Sequence, residues 1–97
     1  MAVIHIAWFR FKEQVDSKRI DEHMAACRSL VGRVPVVIDL KCGKSYTDRA
    51  GGLTHGILVT VPDREAIVTY LNHPLHVPVA SALKADLDEL RVMDIEV

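Results

Sequence analysis

The first strand of this chain is apolar on both of its faces. Between residues 2 and 11, Val3, His5, Ala7 and Phe9 point to one side while Ile4, Ile6 and Trp8 point to the other, because successive side chains of a strand alternate. Such a strand is buried on both sides, with helices over one face and some other cover over the second. A chain of 97 residues has the length of a single domain, and one so small buries only about two-thirds of the surface its unfolded state exposes. Pairing with a second copy supplies the cover that one layer of helices cannot.

The following residues give the remaining elements. Asp16 or Ser17 can cap a helix in which Ile20, Met24, Cys27, Leu30 and Val31 share one face. His23 falls among its exposed polar positions and is assigned no chemistry. Gly32 and Pro35 end this helix. Residues 36–44 read as a second strand, with Val36, Ile38, Leu40 and Cys42 on one face, and residues 45–52 as a polar loop closed by a glycine pair. Residues 53–61 form a third strand that carries His55, Ile57 and Val59 on one face. Asp63 caps a short helix with Ala66, Ile67, Tyr70 and Leu71 on one side. Pro74 is placed to begin the next helix with His73 at its cap, and Leu75, Val79, Ala80, Leu83 and Leu87 point inward from it. Residues 91–97 close the chain as a fourth strand.

This order predicts an α+β fold, the ferredoxin-like βαββαβ plait: a four-stranded antiparallel sheet with its helices on one face. The other face has apolar residues and no helices. Two such sheets placed face to face make a dimeric α+β barrel, so the expected partner is a second copy of this chain.

Composition narrows the functional classes. Hydrophobic residues make up 49% and charged residues 26%, which excludes disorder and low complexity. A formal charge of -1 with no basic patch gives nucleic acid or an anionic membrane nothing to bind. The amino terminus lacks a basic leader and a cleavage site, and no apolar run approaches the roughly 18 residues of a membrane span. Cys27 and Cys42 have no CxxC spacing, so a cytoplasmic protein with two buried, reduced thiols is expected.

Several motifs carry a resemblance. The His-Ile-x-x-Phe-Arg-Phe-Lys strand from His5, Leu-Val-Gly-x-Val-Pro from Leu30, Thr54-His55, and Tyr-Leu-Asn-His-Pro-Leu-His from Tyr70 to His76 together resemble the stress-responsive A/B barrel family, the dimeric α+β barrel domains. The resemblance spans essentially the whole chain and implies the same plait and the same dimer. Some plant members of that family cyclise linear polyketides by intramolecular aldol condensation. The residues that serve such a cyclase match here at His5, His55, Tyr70 and His76; the residues lining the family's pocket do not recognisably match, so the substrate does not follow.

An aldol closure needs a base for the acidic proton between two carbonyls and a donor for the oxygen that becomes negative. His76, in the first turn of its helix, is the expected base, because the positive helix end keeps the imidazole neutral. Tyr70 orients the substrate or supports the charge, and His55 holds the imidazole or the carbonyl. His5 and His73 are assigned to substrate binding, and His5 and His55 have the parity to face the space between the two sheets. Each residue also has a structural alternative: His73 as a helix cap, His76 bonded to nearby backbone, Tyr70 as core, and His5 and His55 satisfying each other. A metal site built from these histidines lacks an acidic ligand, and neither metal nor cofactor is expected. Two functions therefore follow from the sequence. One is a cofactor-free acid-base enzyme, a cyclase or aldol-type lyase acting on a β-dicarbonyl substrate in the barrel cavity. The other is a non-catalytic dimeric barrel that binds a small apolar ligand.

Overall fold

A computed structural model describes residues 1–97. The chain folds as β1 (Val3–Phe11), α1 (Ser17–Arg28), β2 (Asp39–Lys44), β3 (His55–Val61), α2 (Arg64–Leu71), α3 (His76–Ala85) and β4 (Leu87–Glu96). The strands form one sheet in the order β2-β3-β1-β4, and every neighbouring pair is antiparallel. This is the expected ferredoxin-like plait.

Local chemistry sets the helix starts. Asp16 accepts a hydrogen bond from the Arg19 amide, and Asp63 accepts one from Ala66, each satisfying an amide that the first helical turn leaves unpaired. The start of α3 differs from expectation, since the regular helix begins at His76 rather than Pro74. Residues 73–75 form a turn in which the His73 ring accepts from the Leu75 amide at 3.1 Å and the His73 carbonyl accepts from Val77 at 3.0 Å. His73 therefore does the work of a cap, but through a turn that Pro74 bends.

Two strand boundaries also shift. Residues 36–38 do not join β2, because the Val37 amide bonds back to the Val34 carbonyl at 3.0 Å and closes a turn. The alternation is lost there: Val37 is buried and Ile38 is exposed, the reverse of the expected faces. At the other end β4 begins at Leu87, four residues early, so Leu87 belongs to a strand and not to α3. The reason is long-range pairing. The Lys12 amide bonds the Asp86 carbonyl at 2.8 Å, and β4 then runs beside the whole of β1, from Phe11 opposite Leu87 to Val3 opposite Glu96.

The helices cover the face of β1 that carries Val3, Phe9 and Phe11, and these residues pack with Val59 and Val61 of β3, Met24 and Cys27 of α1, and Ile67 and Tyr70 of α2. Of this set Phe9, Val59 and Val61 are wholly buried. The opposite sheet face has no helix over it. Ile6 stands between Leu58 and Met93 in one row across three strands, and Ile4 stands beside Ile95; Leu58, Met93 and Ile95 are exposed.

His23 departs from its assigned place on the solvent face of α1. It is 6% exposed, its ring stacks on Phe11 with centroids 5.8 Å apart, and Nε2 meets Asp86 Oδ2 at 2.6 Å. Asp86 also accepts from Arg19 at 2.8 Å. The partner that makes burial of this histidine possible lies 63 residues away, beyond any helical pattern. Asp86 thereby ties α1 to the junction of α3 and β4, and its carboxyl is held below the usual range by the bonds from His23 and Arg19.

Candidate active site

Between the sheet and the helices, where α2 and α3 pass over β1 and β4, lies a cavity of about 290 Å³. That is near the lower end of ligand-pocket sizes, roughly 300 to 1,000 Å³. Hydrophobic residues make up 13 of the 17 that line it; the polar groups are few and specific. They are His5 and Asp94 from the sheet, His76 and Lys84 from α3, and the hydroxyl of Tyr70, whose ring counts among the thirteen.

Three of these form one cluster. The rings of Tyr70 and His76 have centroids 4.2 Å apart, and the ring of His5 lies 6.1 Å from that of Tyr70. Helical spacing places Tyr70 with Ala66 and Ile67 on the buried side of α2, and the turn at residues 73–75 returns the chain so that His76 comes back over Tyr70. His5 reaches the cluster from β1 because it is on the helix-covered side of the sheet, in alternation with Val3, Ala7 and Phe9.

That position corrects the expectation that His5 and His55 face a space between two sheets. His55 stands opposite Phe9 in the register of β1 and β3, so both histidines share the face that the helices bury. Both faces of β1 are apolar, and parity alone does not say which one receives the helices. The cavity is accordingly formed within the single chain.

The hydrogen bonds assign the protons. Nδ1 of His76 lies 3.1 Å from the Leu71 carbonyl oxygen, which can only accept, so Nδ1 carries the hydrogen and Nε2 keeps a free lone pair. Burial, the largest cause, holds the His76 pKa below the ordinary imidazole value; the bond to Leu71 opposes this, and the charges of His5, Lys84 and His73 add to the lowering. His76 is therefore a neutral acceptor at pH 7. Tyr70 is the reverse: burial, and then proximity to Cys27, raise its pKa, so its hydroxyl remains a protonated donor. His5 Nδ1 meets Asp94 Oδ1 at 2.5 Å; the carboxylate fixes that ring's orientation as the carbonyl of Leu71 fixes the other.

The remaining assigned residues stand apart from this cluster. His55 is buried, stacks parallel to Phe9 at 6.4 Å, meets Phe11 edge-on at 5.2 Å, and bonds Thr54 Oγ1 at 2.8 Å. It does not line the cavity, and its expected hold on the imidazole or the carbonyl has no geometry to act through. Burial and the charge of Lys44 lower its pKa. His73 is occupied with the turn before α3. Of the two free thiols, Cys27 lines the cavity, and burial, with a further push from Cys42, raises its pKa to about 11, so it presents an apolar wall and no thiolate nucleophile at neutral pH. Cys42 is half-buried rather than buried. No group of three or more His, Cys, Asp or Glu side chains is arranged to hold a metal ion, and no helix is long and apolar enough to cross a membrane.

Two further lining residues, Asp94 and Lys84, lie outside the motifs of the sequence. Asp94 acquires its place only through the β1–β4 register, which sets it directly opposite His5. Lys84 had a readable signal, for it follows His76 by two helical turns through Ala80, and all three line the cavity.

The fold and cavity define a class: an α+β plait with an imidazole–phenol cluster beneath its helices. The chain belongs to the stress responsive A/B barrel domain family, whose sequence model matches residues 3–97. Olivetolic acid cyclase of Cannabis sativa is 29% identical over 96 residues, a match covering 97% of this chain and 95% of the cyclase. The crystal structure of At3g17210 from Arabidopsis thaliana superposes with a TM-score of 0.89 at 28% identity, over 98% of this chain and 94% of that one. Hydroxynitrile lyase from Passiflora edulis superposes with a TM-score of 0.92 over 99% of this chain and 93% of that one. At 24% identity that likeness concerns the fold.

Proposed function

We propose that this protein is a cofactor-free acid-base enzyme of the cyclase or lyase kind, forming or breaking a carbon–carbon bond next to a carbonyl. The observation that carries this reading is the contact of Tyr70 and His76, a proton donor and a neutral base, on the wall of one apolar cavity. In a cyclisation, His76 Nε2 takes the acidic proton from the carbon between two carbonyls of a β-dicarbonyl substrate, while the Tyr70 hydroxyl donates to the oxygen on which charge develops. The enolate carbon then attacks a second carbonyl of the same chain, closing a ring, and the proton held by His76 is available to the new alkoxide. His5, oriented by Asp94, completes the polar side of the cavity and binds a substrate carbonyl. The kinship with a polyketide cyclase at 29% identity supports this chemistry.

The active form is a homodimer in the cytoplasm. The uncovered row of Leu58, Ile6 and Met93 supplies the apolar face that a second sheet would cover. Neither nucleic acid nor a membrane is among its partners.

The test is mass spectrometry of products after incubation with linear poly-β-keto thioesters and acids, with His76→Ala alongside and its folding checked by circular dichroism. A cyclised product formed by the wild type and lost in the folded variant supports the reading. Identical product profiles overturn it and leave the alternative, a non-catalytic barrel holding an apolar ligand.

A further inference from the structure

Lys84 has no ion-pair partner, although the acidic side chains around it do. Of the residues lining the cavity, Asp94 is engaged by His5; at the β4 end, Asp88 is engaged by Arg10 and Glu89 by Arg91. Lys84 is exposed and lines the cavity beside Leu83 and Leu87, so it stands at the mouth. Its place in the last turn of α3 suits the helix dipole. The dipole explains a cation at that level of the helix, but not one on the cavity side.

From this unpaired cation at the rim of an apolar cavity, with the base two turns deeper on the same helix, we infer that the substrate is an anion whose negative group is held by Lys84. The inference rests on the cavity being the substrate site. It deepens that reading by naming the substrate class: an acid, largely apolar, with a carboxylate or comparable anionic end at the mouth and its reacting carbon inside.

Geometry adds a length. Eight residues of α-helix separate His76 from Lys84, a rise of about 12 Å. Helical side chains all lean toward the helix amino terminus, so the lean moves both tips the same way and the separation stays of this order. The acidic carbon therefore lies several bonds from the anionic end rather than adjacent to it. Low-dielectric walls strengthen the field of a single charge at such a mouth, which favours binding an anion in one direction only. The positive charge also lowers the basicity of His76, and a bound anion would relieve that effect only when substrate is in place.

The experiment compares the dissociation constants of para-butylbenzoate and para-butylbenzamide, which match in size and differ in charge, by calorimetry at low and at high salt. Wild type, Lys84→Met, Lys84→Arg and Lys18→Met are measured, the last as a control for net charge away from the cavity. The wild type and Lys18→Met are expected to favour the acid by about five- to tenfold at low salt and by less at high salt. Lys84→Met loses the preference while its affinity for the amide is unchanged, and Lys84→Arg retains it. Equal binding of acid and amide to the wild type, or a preference that survives in Lys84→Met, overturns the assignment and leaves the acid-base reading standing. No binding of either compound overturns the cavity as a ligand site and this inference with it, whereas loss of cyclase activity alone bears only on the chemistry.

Discussion

Nδ1 of His76 lies 3.1 Å from the carbonyl oxygen of Leu71, across the turn that joins α2 to α3. The contact makes one nitrogen a fixed donor and leaves the other with a free lone pair. It also means that the structural and the chemical readings of this histidine do not exclude each other. A backbone bond of this kind stabilises the fold by only about 1 kcal/mol, whereas a positioned base contributes about 10² to 10⁴ in rate.

Replacement of His76 by Ala is therefore expected to lower turnover by at least a hundredfold while shifting the melting temperature by only a few degrees. Parallel rate and thermal-denaturation measurements decide the matter. A large loss of stability with no activity in the wild type would make His76 a structural residue.

The pH profile follows from the same group. Because burial lowers the His76 pKa, the base is already deprotonated below the ordinary imidazole value of about 6.5. The rate should rise on an acidic limb with its midpoint below that value, then stay level through neutrality. Since burial raises Tyr70, no basic limb is expected below about pH 10. A midpoint above 6.5 in a steady-state rate profile contradicts the assignment.

Stability carries a matching dependence. His55 and His76 both have lowered pKa values, so on acidification the unfolded chain protonates them before the folded chain does. Their contribution is complete above the unfolded imidazole value and is lost as pH falls through and below it. Asp86, also lowered, adds a loss at more acidic pH. Denaturant midpoints measured from pH 8 to pH 4 should decline, and a flat profile would exclude this linkage.

The buried ring of His23 is predicted to matter more for folding than an exposed helical residue does. His23→Ala removes its stacking on Phe11 and its bond to Asp86 and should cost about 2 kcal/mol, with a melting-point drop of roughly 8 to 16 °C for a domain of this size. A change within 1 °C would place the ring in solvent.

The apolar row across the open sheet face makes a prediction about assembly. Ile6→Glu puts a charge between Leu58 and Met93, where a second sheet would have to bury it unpaired. Light scattering after size exclusion is expected to give twice the chain mass for the wild type and the single-chain mass for the variant. A monomeric wild type removes the dimer.

The plait was legible because its signals are periodic and local: the alternation in β1 and β3, the caps at Asp16 and Asp63, and the helical face of α2. Tyr70 and His76 could be singled out because both are proton-transfer residue types in one short segment and His76 lies in the first turn of a helix. The misplacements have three causes: long-range pairing, local turns that close at residues 34–37 and 73–75, and a parity that two apolar faces leave undecided. β4 began early because Leu87 found Phe11; His23 was buried because Asp86 came to meet it; and His5 and His55 changed faces because two apolar faces are indistinguishable by parity. Asp94 entered the site through strand register alone.

The pairing of β1 with β4 has a consequence for how the chain is made. During synthesis β1 emerges first and β3 can join it, yet the other side of β1 waits for residues 87–96, which leave the ribosome last of the four strands. Until then the nascent sheet has an open edge along its longest strand, the kind of surface that recruits other chains. The wall of the cavity and Asp94 arrive with that final segment. A chain interrupted before it has neither the shielded edge nor the anchor for His5, so completion of the sheet and completion of the site are one event.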